Sequence, residues 1–196
     1  MTRVFSFMFF FISVWFGLSS ILSHIVYVYD LSYFYYYLIW PGCFGISLLL
    51  FLKSLLSLRK VFRDRVSTSI SWPFIIKLIN GLTWALPFVL IPFLQKYYPF
   101  LLLTGLSLGN ISTFIFLRKY SKIYSVEQVI TGSLTLSSLF SIVVYYNYTD
   151  NYELTLFLTR VMISVSYAIG GLVGYFKNND DNNVSSSLDN ERDDLS

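Results

Sequence analysis

The sequence predicts an all-α, polytopic membrane protein with six transmembrane helices. Three observations predict it. The 196 residues are 55% hydrophobic and 20% aromatic but only 13% charged, against roughly 25% charged in ordinary soluble domains. A soluble fold of this size leaves too much surface exposed to hide so many apolar side chains. The apolar residues fall into six stretches of about 20 residues, the length that crosses a bilayer. The Lys and Arg residues collect in alternate connections between those stretches, as cytoplasmic loops do. The composition excludes a soluble enzyme and a nucleic-acid-binding domain, and it makes the lipid bilayer the first partner.

The spans fall at 4–28, 35–58, 72–94, 98–117, 128–148 and 154–176. Together they form a membrane domain over residues 1–176. Arg3 precedes the first span, and the connection around Asp30 has no basic residue. The second connection carries Arg59, Lys60, Arg63 and Arg65; the third carries only Lys96. The fourth carries Arg118, Lys119 and Lys122, the fifth none, and Lys177 follows the last span. This alternation implies an integral multi-pass protein with both termini in the cytoplasm. The first stretch also reads as a cleavable signal peptide, with Arg3 followed by an apolar run and the small residues Gly17 and Ser19. Its continuation to Val28 favours a retained helix. Residues 177–196 hold almost no apolar side chains and read as an acidic cytoplasmic tail without regular structure. Ser186, upstream of Asp189 and Glu191, fits an acidic-directed phosphorylation site, but such short matches are common by chance and a plain solvated end is the favoured reading. Asn147-Tyr-Thr149 is a glycosylation sequon close to the membrane.

Little catalytic chemistry is available. The chain has one cysteine, Cys43, and one histidine, His24. No disulfide, metal-ligand set or paired haem ligands can be assembled from them. No Asp or Glu falls within the six spans as drawn, which argues against proton coupling through a membrane carboxylate and against an aspartyl protease. Gly105-x-Ser107-x-Gly109 matches a hydrolase pattern, but that pattern needs a strand-to-helix turn. Here it lies within a span, at a different depth from His24, so Gly105-x-x-x-Gly109 reads as a close-packing motif. No catalytic residue, metal or cofactor is expected, and the chain is not read as an enzyme.

Small residues share faces elsewhere: Ser13, Gly17, Ser20 and His24 on the first span, and Arg160, Ser164, Tyr167, Gly171 and Gly174 on the sixth. Such faces pack against neighbouring helices or line a cavity. Arg160 has the choice of snorkelling or pairing with Glu153 or Asp150. The third span carries Asn80 and Trp84 four residues apart, on one face, and Pro87, which kinks it. An amide beside an indole suits a polyol, because the ring stacks on C–H faces while the amide donates and accepts. On the residues alone the favoured reading is plainer: Asn80 hydrogen-bonds a neighbouring helix and Trp84 packs against it.

The stretch 45–120 resembles a known family. Ser54-Leu-Leu-Ser57-Leu-Arg59-Lys60, then Val66-Ser67-Thr68, Trp72-Pro73-Phe74 and Asn80-Gly81-x-x-Trp84 resemble the triple-helix bundle of SWEET (MtN3/saliva, PQ-loop) sugar transporters. The resemblance implies a SWEET-like triple-helix bundle formed by spans two to four. It also implies facilitated, uncoupled movement of a sugar, with Asn80, Trp84 and Thr104 at the substrate and Ser54 and Pro87 as gate residues. The sequence departs from the family pattern at Leu55, at Pro87-Phe88 and at Leu103-Thr104, and its six spans differ from the family's seven. One intact bundle cannot enclose a path, so transport implies a homo-oligomer. The alternative is a non-transporting membrane scaffold or accessory subunit that docks partner helices.

Overall fold

The computed structural model describes the backbone of residues 3–70 and 72–193, and the side chains of 6–56, 63 and 72–177. The described residues form six α-helices: α1 (Arg3–Val28), α2 (Phe34–Ile70), α3 (Phe74–Leu90), α4 (Tyr98–Tyr120), α5 (Val126–Thr149) and α6 (Tyr152–Asp193). A single 3-10 turn, Gln95–Tyr97, precedes α4. The helices α1, α2, α4, α5 and α6 each contain a stretch long and apolar enough to cross a membrane, the pattern of an integral multi-pass membrane protein.

The third expected span is corrected in length. Residues 72–94 read as one span, but α3 is helical only over Phe74–Leu90, 17 residues. Pro73 lies just before its start and Pro92 just past its end, and proline both restricts the preceding residue and cannot donate within a helix. At 1.5 Å per residue α3 is about 25 Å long, shorter than the hydrocarbon core of about 30 Å. At the other end of the chain, α6 continues through Asp193, into the acidic stretch expected to lack regular structure. Once a helix is nucleated, each further residue needs only its own backbone hydrogen bond. Ser186 has no described side chain, and residues 194–196 lie outside the described backbone.

Successive helices run antiparallel, so the molecule has two ends. One carries the turns at Asp30 and Asp150; the other carries the C-terminal parts of α2 and α4, with Arg63 and Arg118. Asp30 and Asp150 have φ of 49° and 47°, the left-handed conformation that ends a helix and that Asp tolerates better than most residues. Laterally the helices follow the order α2, α1, α6, α5, α4, α3, with α4 also touching α6. The expected trio of spans two to four is therefore not mutually packed. Helix α3 lies on α4, but α2 lies on α1, where Trp15, Phe16, Trp40 and Phe44 interlock edge to face.

Glycine decides why α6 sits in the middle. A Cβ on Gly171 would lie 3.1 Å from the Ser6 carbonyl oxygen of α1, and one on Gly170 would lie 3.0 Å from the Glu127 carbonyl oxygen of α5. Only a bare backbone lets α6 approach both neighbours this closely. Phe9, Leu103, Leu106, Ile142, Ile163 and Tyr167 fill the core between α1, α4, α5 and α6. The flanking helices bury little: Leu49, Leu50 and Leu56 of α2 and Phe74 and Val89 of α3 are exposed, as lipid-facing side chains are.

Candidate functional site

Two regions combine aromatic and polar side chains between the helices. The first is the α3–α4 seam, which holds the expected substrate residues Asn80 and Trp84. Asn80 and Trp84 do share a face of α3, and that face meets α4. The Asn80 side-chain oxygen accepts hydrogen bonds from Ser112 Oγ (2.8 Å) and Thr113 Oγ1 (3.0 Å). Trp84 Nε1 donates to Thr113 Oγ1 at 2.9 Å. Thr83 lies 2.7 Å from Ser112, hydroxyl to hydroxyl. The Trp84 indole occupies the space that a Cβ on Gly109 would need, and Phe88 and Pro87 cover Gly105 in the same way. Gly105-x-x-x-Gly109 is thus a packing surface for α3. Ser107, fully buried between the two glycines, donates back to the Thr104 carbonyl.

The other site candidates are scattered. Thr104 lies nine residues from Thr113, about 13 Å along α4, and its hydroxyl donates to the Phe100 carbonyl at 2.8 Å. Pro87 is buried in α3. Ser54 is half-buried on α2, a helix that packs on α1 instead of α3. The structure brings Asn80 and Trp84 together, joined through Thr113; it does not bring Thr104 or Ser54 to them.

The second region is a cleft of about 200 Å³ between α1, α2 and α6, at the end carrying Asp30 and Asp150. Ser20, Ser23, His24 and Tyr27 come from α1, Tyr36 from α2, and Glu153, Leu156, Phe157 and Arg160 from α6; Tyr33, just before α2, closes the ring. His24 stacks on Phe157 with centroids 4.2 Å apart, and Tyr33 stacks on Tyr36 at 6.0 Å. Arg160 lies over the Trp40 ring at 5.1 Å, and Trp40 is fixed in turn because its carbonyl accepts from Trp15 Nε1 at 3.2 Å. The Arg160 Nε and the Ser23 Oγ are buried and have no hydrogen-bond partner.

The small-residue faces of α1 and α6 account for this cleft. Lower down they close on each other, with Ser164 Oγ donating to the Ser13 carbonyl at 2.8 Å and filling the space above Gly17. Towards the acidic turns, Ser20, His24 and Arg160 of the same two faces line the cleft. Sequence reasoning found these faces and singled out Arg160. It missed Ser23, the contribution of Tyr33 and Tyr36, and the role of Trp40. The aromatic run Tyr33-Phe-Tyr-Tyr-Tyr37 beside Asp30 was the available signal.

One exclusion is corrected. Helix α5 begins at Val126, two residues before the expected boundary, so Glu127 belongs to its first turn and is only 4% exposed. Ser6 Oγ donates to one carboxylate oxygen at 2.9 Å and Ser125 Oγ to the other at 3.2 Å. Gly174 of α6 leaves room for the Glu127 stem. A carboxylate at a helix N-terminus is favoured by the backbone dipole. Glu153 likewise falls in the first turn of α6, within a membrane-length apolar stretch. No group of three or more His, Cys, Asp or Glu side chains is placed to hold a metal ion among the described residues.

Compared with models of protein families, with curated proteins and with solved structures, the chain matches none of them.

Proposed function

We propose that this membrane protein takes a small polar solute into the cleft between α1, α2 and α6 and lets it cross the bilayer down its own gradient. One observation carries the reading. Arg160 is eight residues inside α6, about 12 Å from its first residue, and its Nε and the neighbouring Ser23 hydroxyl have no protein partner. Polar groups left unsatisfied between apolar helices are costly, and an ionisable residue within a membrane helix is by default a functional-site candidate. Sugars are the first class to test, because the motifs over 45–120 resemble SWEET transporters and the cleft offers stacking rings beside donors. On the charge alternation both termini are cytoplasmic, α3 crosses as a short sixth span, and the cleft opens to the opposite side. The exposed faces of α2 and α3 suit lipid or a second copy of the chain.

A specific observation favours the alternative of a scaffold or accessory subunit. The side-chain oxygen of Asn80 and the Trp84 Nε1 are engaged within the α3–α4 seam, so that seam behaves as helix packing.

The test is uptake of labelled hexoses and disaccharides by proteoliposomes. Saturable uptake that is lost in Arg160→Ala and retained in folded Asn80→Ala supports a path through the cleft. Loss in Asn80→Ala alone returns the solute to α3. No uptake by folded, oriented protein leaves the scaffold reading.

A further inference from the structure

Resting on the reading of the cleft as a solute site, we propose that its occupant is a zwitterion of the phosphocholine type, a quaternary ammonium joined by a short linker to a phosphate. The two charges of the site lie on different residues with different surroundings. Glu153 shares the cleft with the stacked pairs His24–Phe157 and Tyr33–Tyr36. Ring faces within about 6 Å attract a cation, and a quaternary ammonium, which cannot donate hydrogen bonds, is recognised by such faces. A carboxylate beside them adds the opposite charge without requiring a donor.

Arg160 supplies the other half. Its guanidinium rests against the Trp40 ring, which fixes it in place. Its Nε is unpartnered, as is the hydroxyl of Ser23, itself 2% exposed. A phosphate oxygen accepts from both kinds of donor, and the planar guanidinium suits phosphate geometry better than a lysine would. A neutral sugar would use the rings and the hydroxyl but leave both formal charges without a partner.

The volume agrees. About 200 Å³ is below the ~300–1,000 Å³ typical of drug-sized ligands, so the occupant is the size of a headgroup. The same chemistry comes from two sources, a free phosphocholine-type solute or the headgroup of a membrane lipid.

Calorimetric titration of the full chain in nanodiscs of phosphatidylglycerol, with phosphocholine and separately with glucose, tests this. Saturable phosphocholine binding is expected. It weakens at least tenfold in Arg160→Gln and in Tyr36→Leu, and stays within threefold in Tyr36→Phe, which keeps the ring. Arg160→Lys retains the charge and controls for folding, and it is expected to lie between wild type and Arg160→Gln. Rebuilding the nanodiscs with phosphatidylcholine separates the sources: lost phosphocholine binding identifies the lipid headgroup, unchanged binding a free solute, and both support the proposal. Saturable glucose binding with no phosphocholine binding overturns the zwitterion but keeps the cleft as a solute site. Binding of neither ligand by protein with an unchanged melting temperature overturns both.

Discussion

The α3–α4 seam and the α1–α2–α6 cleft are built from the same kinds of residue and end in opposite states. Both set an aromatic ring against hydroxyls on an adjacent helix. In the seam every one of the named polar atoms has a partner: Asn80 takes two hydroxyls, and Trp84 shares Thr113 with it. In the cleft the Ser23 hydroxyl and the Arg160 Nε have none. Of the buried unpartnered polar side-chain atoms among the described residues, none lies on α3 or α4. The side chains at the contact differ. Gly105 and Gly109 let α3 settle directly onto α4. Beyond Ser13 and Ser164, α1 and α6 present the long side chains of His24 and Arg160 at the cleft. A polar cluster between apolar helices is therefore not by itself a solute site; what separates the two is whether its buried polar atoms find partners on the neighbouring helix.

Breaking the seam has the largest expected effect. Replacing Gly109 by Leu places a side chain where the Trp84 indole lies, and overpacking of this kind costs about 3 kcal/mol. Trp84→Ala removes the same contact from the other side, at about 3 kcal/mol. Unfolding in mixed micelles with rising dodecyl sulfate reads both, and retention of wild-type stability in either would mean that α3 does not rest on α4 in this way.

Asn80→Ala comes next. It deprives two hydroxyls of an acceptor, but Ser112 already reaches the Gly109 carbonyl at 3.1 Å as well, so the expected loss is about 1 kcal/mol in the same assay. A stability gain would show that the amide is strained in the seam and reserved for a ligand.

Ser23→Ala sharpens the comparison from the cleft side. The hydroxyl has no partner to lose, so stability should stay within about 0.5 kcal/mol of wild type or rise. A loss of more than about 1 kcal/mol would mean that Ser23 is bonded in the membrane and is part of the packing.

Much of the fold was legible in the sequence because the bilayer imposes length and polarity on every span. The apolar stretches of α1, α2, α4, α5 and α6 stand where hydropathy puts them. Hydropathy carries no information about which helix neighbours which, and there the expectation of a bundle of spans two to four met α2 packed on α1. Boundaries mattered more than their small size implies: moving the start of α5 by two residues brought Glu127 into the buried helix and removed an argument about coupling. At the sites, i and i+4 spacing correctly put Asn80 and Trp84 on one face. The sequence could not say that Thr113 and Ser112 would meet that face, because a pairing across helices has no spacing rule. The cleft was half legible, through Ser20, His24 and Arg160, and its Tyr33 and Tyr36 belong to a turn whose direction only packing determines.

The most direct test of the central contrast is thiol accessibility. Cys43 is the sole cysteine and is buried, so in a Cys43→Ala background single cysteines can be placed at Tyr36 in the cleft and at Ser112 in the seam, both half-buried positions. A small charged methanethiosulfonate reagent added to reconstituted protein should label Tyr36→Cys and leave Ser112→Cys unmodified. Labelling of Ser112→Cys with protection of Tyr36→Cys would contradict the account and return the water-filled path to α3.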